Sequence, residues 1–369
     1  MARVPDPDAH RRATARGVGS ALGDGLGDRP IVQQTAPARV HVAFAADNVV
    51  SKGLAAAVRS VDESLARAGR TGAVYVVDCG LTARSRRKIA HSADPTRTSV
   101  IWLSVRDEAQ ELVRSLSAGS TRPYPPAAYA RLLLPALLPE AVAKVVYLDA
   151  DTIVRGDVAA LWDEDMAETP LFAVEDLPLE NGNAARIART VDQSRFPYDP
   201  SRVYFQSGVL VMDIATFRRE RLAESAFAFL REYPTMQFPD QDALNALLAA
   251  RTRMIDPRWN QMVAVYRYPD AAASPFDPEQ FRLLREDPFV VHYSGRPKPW
   301  EPGCEHPWLA EWFAILDRTP WAGWRPTRWN GFLERLPRIP RVAQRRVRAI
   351  VRSLKPRKPA SDAATGAAA

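Results

Sequence analysis

Between residues 40 and 316, short apolar runs rich in β-branched residues alternate with segments whose apolar residues recur at helical spacing. The apolar runs are residues 40–44, 74–77, 100–103, 145–148, 171–174, 209–212 and 289–292. Between the first two runs, one face of a helix is predicted by Leu54, Val58, Val61 and Leu65. Strands that alternate with helices predict an α/β fold, in which a mixed, mostly parallel central sheet is flanked by helices.

The segments on either side of this region have a different composition. Residues 1–38 combine Arg, Asp, Gly, Ala and Pro with almost no large apolar side chains, and residues 359–369 are rich in Ala. Such segments bury too little apolar surface to offset the entropy lost on ordering, so both are predicted to be disordered tails. The sequence therefore predicts a tail, a domain over 39–316, a basic segment over 317–358 and a second tail.

Positive charge is concentrated in the basic segment. Residues 325–358 contain twelve Lys and Arg and the single acid Glu334, a net charge of +11. Because the whole chain has a net charge of +7, the rest of it has a net charge of −4. Apolar residues at helical spacing in this segment are Val347, Ile350, Val351 and Leu354. They predict a basic amphipathic helix, which either docks on its own domain or lies on an anionic membrane surface. A concentrated terminal block is less typical of a nucleic-acid partner.

Cysteine usage and hydropathy indicate where the chain resides. Cys79 and Cys304 are too few for a disulfide framework and lack the spacing of a zinc site, so both are predicted to be free thiols. No apolar run approaches the roughly 18 residues of a membrane-spanning helix, and the first residues lack the apolar core of a secretory signal. We therefore expect a cytoplasmic protein whose basic segment contacts the inner face of the plasma membrane.

The run at 145–148 ends in two carboxylates, Asp149 and Asp151, separated by Ala150. Side chains alternate across a strand, so positions i and i+2 project to the same side, where two acids can hold one hard cation. The carboxyl ends of strands are also where open α/β sheets bind their ligands. Taken alone, the motif is compatible with a metal site or with a pair of solvated acids in a turn.

A second group of polar residues follows the last apolar run. His292 ends that run, and Gly295 and Lys298 follow it within the sequence His-Tyr-Ser-Gly-Arg-Pro-Lys-Pro-Trp. An imidazole from a second strand end completes an oxygen-rich cation site, and mixed oxygen and nitrogen ligation suits Mn²⁺ better than Ca²⁺. Gly295 permits a close backbone approach, and Lys298 supplies positive charge to a phosphate. A lone buried histidine is usually a core residue, but this array favours a ligand role for His292.

With these motifs the chain resembles the retaining glycosyltransferases of family 8, the group that contains bacterial lipooligosaccharide galactosyltransferases, glycogenin and galactinol synthase. The matching segments, in order, are residues 44–47, 128–132, 146–151, 205–210, 239–245, 259–260 and 292–300. The resemblance covers about residues 40–316, and several separated motifs in the right order are more specific than any one of them. It implies a single nucleotide-sugar-binding α/β domain of the GT-A type.

The resemblance also implies a donor site with its metal. Asp149, Asp151 and His292 would hold Mn²⁺ or Mg²⁺ between the phosphates of UDP-glucose or UDP-galactose. Lys298 would bind the same diphosphate beside the Gly295 backbone, so the departing UDP is neutralised from two sides. The donor-binding residues implied are Ala45 and Asp47 (uracil or ribose), Asp149, Ala150, Asp151, Gln206, Gly295 and Lys298.

Three residues are implied for the transfer step. Asp240 would hydrogen-bond the sugar hydroxyls, Gln241 would lie near the anomeric carbon, and Arg131 would reach the donor sugar or its diphosphate. Retention without a well-placed carboxylate nucleophile favours front-face attack, in which the leaving phosphate takes the acceptor's proton. Gln241 as a nucleophile is the alternative, although an amide oxygen is a weak one. The acceptor would be a hydroxyl of a glycan or glycolipid.

The sequence departs from the family at two donor positions. Gln206 stands where the family commonly has Asn, and the longer amide should shift a sugar contact. Val49 stands where the bacterial pattern has another Asn, so a nucleotide contact is lost or moved. Asp176 matches a donor-sugar contact in a diverged segment and is equally well a loop acid, and Asp242 is expected to cap a helix over 243–250.

Two other functions use parts of the same pattern. A haloacid-dehalogenase-type phosphatase also places Asp-x-Asp-Thr after a strand, as in residues 149–152, but its motif opens the domain and leaves the array at 292–300 without a role. A nucleotide-sugar-binding protein without transferase activity would keep the metal ligands and lose acceptor binding. Manganese-dependent release of UDP, with transfer to an added acceptor, separates a glycosyltransferase from both.

Overall fold

A computed structural model describes residues 38–105, 111, 114–116, 125–177, 183–196 and 198–327. The predicted disordered tails, apart from Ala38, and the predicted amphipathic helix near the C-terminus lie outside these ranges. Within them, no helix combines the length and the apolar character needed to cross a membrane.

The strands build a mixed central sheet and a small second one. They are β1 (Val40–Ala46), β2 (Gly72–Asp78), β3 (Thr98–Ser104), β4 (Lys144–Leu148), β5 (Thr152–Val154), β6 (Leu171–Glu175), β7 (Phe205–Asp213), β8 (Thr252–Met254), β9 (Gln261–Met262) and β10 (Val290–His292). In the described part of the chain, the central sheet has seven strands in the order β3-β2-β1-β4-β7-β6-β8. All its neighbours pair in parallel except at β7, which is antiparallel to both β4 and β6. The predicted mixed, mostly parallel sheet is confirmed.

Both faces of the central sheet are buried. In β1, Val42 and Phe44 belong to one apolar layer, and Ala43 and Ala45 belong to the other. Strands that bury both faces read as near-continuous apolar runs, which is the pattern of the sequence here.

Helices supply the rest of both apolar layers. The α-helices are Ser51–Arg67, Ala83–Ala90, Pro126–Tyr129, Leu134–Leu137, Val158–Asp163, Asn183–Thr190, Ile214–Arg219, Leu222–Glu232, Pro239–Leu248, Pro278–Glu286 and Leu309–Leu316, and the 3₁₀ helices are Ala130–Leu133, Ala249–Arg251, Pro257–Asn260 and Val263–Arg267. The helix Ala83–Ala90 begins where the Thr82 hydroxyl accepts a hydrogen bond from the Ser85 N–H at 3.1 Å, a side-chain cap that pairs an otherwise unpaired backbone donor.

The second sheet decides where the motifs meet. Its order is β5-β10-β9. Strand β5 follows Asp151 directly and pairs antiparallel with β10, which places His292 opposite Thr152. The last apolar run therefore lies outside the central sheet, an arrangement that alternation alone does not indicate. The short strands β5, β8 and β9 are likewise additional to the predicted runs.

The chain beyond the helix Leu309–Leu316 stays packed on the domain. The Lys88 ammonium donates to the Pro320 carbonyl at 2.6 Å and lies 4.4 Å from the ring centroid of Trp321. Asp317 pairs with Arg325 at 2.7 Å. Packing therefore continues past the boundary predicted at residue 316.

Candidate active site

Three metal-binding side chains converge where the two sheets meet. Asp149 and Asp151 lie in the turn between β4 and β5, and His292 ends β10. The pairing of β5 with β10 holds the histidine beside this turn, and the Tyr293 N–H donates to the Asp151 carbonyl at 2.9 Å. One ligand atom from each side chain lies within 4.8 Å of the other two. His292 Nε2 is 3.3 Å from Asp151 Oδ1 and 3.8 Å from Asp149 Oδ2.

This metal cluster of Asp149, Asp151 and His292 fits a divalent cation. His292 Nδ1 is 2.8 Å from Asn260 Oδ1, and an amide oxygen only accepts, so Nδ1 carries a hydrogen. Nε2 faces the two carboxylates, and as a metal ligand it would direct its lone pair at a cation held among the three atoms. Two carboxylate oxygens and one imidazole nitrogen suit Mn²⁺ or Mg²⁺.

Lys298 places a positive charge on the metal cluster. Its ammonium donates to Asp151 Oδ2 and to the Tyr293 carbonyl, the latter at 2.8 Å. Burial opposes ionisation of Asp151, but Lys298 and His292 outweigh it and hold the pKa of that carboxyl well below its usual range. The intervening loop turns at Gly295, whose φ of +92° lies in the left-handed region that favours glycine.

Gly208 leaves the space in which the metal ligands meet. It lies on β7 beside the end of β4, where its carbonyl accepts from the Asp149 N–H at 2.8 Å. A Cβ at this position would stand 2.7 Å from Asp149 Oδ2 and against the His292 ring. The sequence gives Gly208 a place in a matching motif but no role; the available signal is a glycine inside a strand, which often marks a close approach.

The turn that carries the acids rests on the first helix. A Cβ on Gly53 would lie 2.5 Å from the carbonyl oxygen of Ala150 and would clash with the ring of Trp300. Gly53 therefore lets Ser51–Arg67 pack directly against both segments of the site. Ala150, which was expected to contact the donor, lies in this turn.

Arg131 is buried between the metal cluster and the residues predicted to act on the sugar. Its Nη2 donates to Asp149 Oδ1 and its Nε pairs with Asp240 Oδ2, each at 2.9 Å, and its Nη1 donates to Ser207 Oγ at 2.9 Å. Burial disfavours the guanidinium charge, yet Asp149 and Asp240 raise the pKa of Arg131 above its usual range. Arg131 is 5% exposed, and all three of its nitrogens bind protein oxygens instead of pointing freely at a donor.

Asp240 and Gln241 lie in the first turn of a helix that is pinned to β7. Asn245, one turn further on, donates to the Phe205 carbonyl at 2.8 Å and accepts from the Phe205 N–H at 2.9 Å. This fixed register lets Gln241 Oε1 accept from the Ser207 N–H at 3.0 Å, and Asp240 Oδ2 accept from Ser207 Oγ at 3.1 Å. Both predicted sugar-facing residues are therefore held in place by the protein.

The nitrogen of the Gln241 amide belongs to a buried polar network that also contains Asp176, Tyr204, Asp242 and Arg186. Gln241 Nε2 donates to Asp176 Oδ2 at 3.0 Å and to the Tyr204 hydroxyl at 3.1 Å. The Tyr204 hydroxyl donates in turn to Asp242 Oδ1 at 2.6 Å. Arg186 binds both Asp242 oxygens, at 2.9 and 2.6 Å.

The expectation that Asp242 caps a helix over 243–250 is wrong. The helix begins four residues earlier than expected, at Pro239, because proline is favoured in the first turn. Asp242 lies inside it, fully buried, and its Oδ2 accepts from the Phe238 N–H at 2.9 Å. The Asp242 carboxylate therefore pairs a backbone donor that precedes the helix, from a position inside the helix.

Asp176 faces the site and is no ordinary loop acid. Burial raises the pKa of Asp176 to about 6, although hydrogen bonds from Gln241 and Asn183 favour its ionised form. Asn183 Nδ2 donates to Asp176 Oδ2 at 3.2 Å. The structure thus joins this acid to Gln241 through a direct hydrogen bond.

Gln206 is held by two hydrogen bonds within the protein. Its Oε1 accepts from the Gly208 N–H and from Asn260 Nδ2, each at 2.6 Å. Sequence reasoning did not anticipate a role for Asn260, which appeared only within the matched pair Trp259-Asn260.

The predicted nucleotide contacts lie at the carboxyl end of β1. Ala45 is buried, and Asp47 Oδ1 accepts from the N–H groups of Val49 and Val50 at 2.8 and 3.3 Å, at the start of the first helix. Because β1 and β4 are parallel neighbours, Asp47 lies at the same edge of the sheet as the metal cluster. The Val49 side chain is 65% exposed.

The fold and this site define a glycosyltransferase of the GT-A class, in which acids at the end of a central strand face a histidine and a lysine from a later loop. The chain belongs to glycosyl transferase family 8, whose family model matches residues 41–303. The resemblance predicted from the motifs is confirmed.

Several characterised proteins are similar to the chain. General stress protein A of Bacillus subtilis is 28% identical over 252 residues, which cover 67% of this chain and 83% of that protein. The lipopolysaccharide 1,2-glucosyltransferase of Escherichia coli K12 is 26% identical over 199 residues, which cover 53% of this chain and 55% of that enzyme. Among solved structures, an active-site variant of LgtC matches with a TM-score of 0.64 at 25% identity and covers 79% of this chain and 99% of LgtC.

Proposed function

We propose that the chain transfers glucose or galactose, with retention of configuration, from a UDP-sugar to a hydroxyl of a glycan or glycolipid, with Mn²⁺ or Mg²⁺ as its cation. The convergence of Asp149, Asp151 and His292 carries this proposal, with Lys298 bound to one of the same carboxylates. The lipopolysaccharide 1,2-glucosyltransferase among the relatives favours a hexose donor.

The metal cluster and Lys298 would act together on the leaving group. Asp149, Asp151 and His292 would hold a divalent cation, which would supply positive charge that stabilises the departing UDP. Lys298 would then move its ammonium from Asp151 to a phosphate oxygen. This exchange replaces one charge pair with another, so no buried charge is left alone.

Front-face attack agrees better with the contacts of Gln241 than a nucleophilic role does. Its amide oxygen already accepts from the Ser207 N–H at 3.0 Å, and this bond weakens an oxygen that is a poor nucleophile to begin with. Asp240 is held by Arg131 and Ser207, which orients it to bind sugar hydroxyls and not to attack the anomeric carbon. In this mechanism the departing phosphate accepts the proton of the acceptor.

A donor screen tests the proposal. Purified protein with Mn²⁺ is incubated with a panel of UDP-sugars, with and without glycan acceptors, and UDP release is measured. We expect release from UDP-glucose or UDP-galactose that is lost with a chelator and in Asp151→Asn. Asp199→Asn, at an exposed acid paired with Arg202 at 3.5 Å, is the matched control. Binding without turnover would indicate a binding protein, and phosphate release from a phosphomonoester a phosphatase.

We also propose that the basic segment 325–358 contacts an anionic membrane surface at the inner face of the plasma membrane. The helix Ala83–Ala90 carries three Arg and one Lys and no acid. Lys88 on this helix binds the Pro320 carbonyl, so the chain passes a basic surface on its way to the basic segment. Each basic residue near an anionic surface adds about 1 kcal/mol.

Vesicle cosedimentation tests the membrane proposal. The full chain should sediment with phosphatidylglycerol-containing vesicles and not with neutral phosphatidylcholine vesicles. Deletion of residues 341–369 should release it while activity on a soluble acceptor is retained. Equal vesicle binding by the truncated protein would contradict the proposal.

A further inference from the structure

A backbone N–H beside the metal cluster starts a chain of hydrogen bonds with one self-consistent direction. The Gly208 N–H only donates, so the Gln206 atom 2.6 Å away is the amide oxygen. The same oxygen is 2.6 Å from a side-chain atom of Asn260, which must therefore be the donor Nδ2. A main-chain group thus sets the orientation of both amides.

Asn260 passes this direction on to His292. With Nδ2 bonded to Gln206, its Oδ1 lies 2.8 Å from His292 Nδ1. Because the amide oxygen carries no hydrogen, Nδ1 must supply it, and in the neutral ring that a metal ligand requires, Nε2 is then the nitrogen left for the cation. Asn260 is 1% and His292 2% exposed, so bulk water does not compete for these bonds.

We infer that Gln206 and Asn260 are positioning residues, an amide relay that holds His292 in its metal-binding tautomer. Nε2 is the ring atom that lies 3.3 Å from Asp151 Oδ1. The opposite tautomer would aim an N–H at the position of the cation. This inference rests on the metal role proposed for His292, and it gives Gln206 a function other than the donor-sugar contact expected from the sequence.

The length of Gln206 matches this role. Its Oε1 reaches two donors at once, one on its own strand and one on the 3₁₀ helix Pro257–Asn260. An Asn at position 206 would end one methylene earlier, a difference of about 1.5 Å that would break the bond to Asn260 in this backbone geometry. The relay is therefore a property of this chain's Gln.

Substitutions at position 206 test the inference. Gln206→Met keeps the side-chain length and removes the amide, whereas Gln206→Glu keeps an acceptor oxygen for both donors. We expect Gln206→Met to weaken Mn²⁺ binding by the nucleotide-free protein about 10- to 100-fold, the usual effect of losing a partner of a metal-binding histidine. The ¹⁵N NMR signals of His292 should shift from the Nδ1–H tautomer in the same variant. The remote control Gln280→Met should keep both properties, and Gln206→Glu should keep the tautomer and bind Mn²⁺ no more weakly than the wild-type protein.

The outcomes separate the relay from its alternatives. An unchanged His292 tautomer and unchanged Mn²⁺ affinity in Gln206→Met, with a raised KM for the UDP-sugar, would make Gln206 a donor contact and overturn the inference. If the wild-type protein binds no Mn²⁺, the proposed metal role fails, whereas the NMR tautomer still decides whether the relay exists. Melting temperatures of all variants identify any general loss of folding.

Discussion

The metal cluster and the polar network handle charge in opposite ways. In the metal cluster, Asp149 and Asp151 face His292 Nε2, and their side chains are 21% and 15% exposed. In the polar network, the fully buried Asp242 accepts hydrogen bonds from an arginine, a tyrosine hydroxyl and a backbone N–H. The first group would be completed by an added cation, whereas in the second the folded chain itself supplies the partners of the buried carboxylate.

This difference separates stability from function. Arg131 and Lys298 each pair with one acid of the metal cluster, and the carboxylate oxygens that face His292 Nε2 are left to hold a cation, so the value of these acids lies in ligand binding. The hydrogen bonds of the buried polar network instead rigidify its surroundings and here hold Gln241 in position before any donor binds. Substitutions in the two groups should therefore have different signatures, activity loss in one and unfolding in the other.

The largest effect is expected in the metal cluster. Asp151→Asn should lower kcat/KM for UDP-sugar turnover on the order of 10³-fold, about 4 kcal/mol, because a cation ligand and the partner of Lys298 are both altered. The melting temperature should change by only about 2–4 °C. Turnover is measured by UDP release in saturating Mn²⁺; a rate within tenfold of wild type would remove Asp151 from the cluster.

The polar network should show the reverse signature. Asp242→Ala should lower the free energy of unfolding by about 3–5 kcal/mol, because Arg186 loses its partner and the Phe238 N–H its acceptor. Denaturant unfolding measures this change, and Asp199→Ala, which breaks an exposed pair, should cost less than about 1 kcal/mol. A cost below about 1 kcal/mol for Asp242→Ala would contradict the structural role of the network.

Gly208 tests how tightly the metal cluster is packed. Gly208→Ala should weaken Mn²⁺ binding about 10-fold or more, since its Cβ would press on Asp149 Oδ2 and the His292 ring. Calorimetric titration of the nucleotide-free protein with Mn²⁺ provides the measurement. An affinity equal to wild type would show that both ligands can move aside without loss.

The smallest effect is a pH dependence of stability from Asp176. Burial raises the pKa of its carboxyl from 3.8 to about 6. Below pH 3.8 the group is protonated in both states; between 3.8 and about 6 only the folded state keeps the proton. The contribution of Asp176 to the free energy of unfolding therefore falls as pH rises through this window and is constant above it. Asp176→Asn should flatten this slope in denaturant unfolding from pH 4 to 7, and an identical slope would refute the raised pKa.

Local sequence patterns predicted most of the central sheet and part of the site. The acids Asp149 and Asp151 were identifiable because a buried strand and its end are encoded by adjacent residues. His292 and Lys298 required an ordered array and a family resemblance. The burial of Arg131 was not predicted, because it depends on a partner 18 residues away in the chain. The helix start before Asp242 was missed, although Pro239 is a local signal for it.

The sequence by itself determined the strand and helix order, the charges at the strand ends and the family, since these follow from residue type and near-neighbour spacing. Only the tertiary structure decided which groups meet. The pairing of β5 with β10 carries His292 to an acid 141 positions earlier in the chain, and Asn260 reaches Gln206 across 54. Such contacts depend on loop closure and packing across the whole fold, which no local pattern encodes.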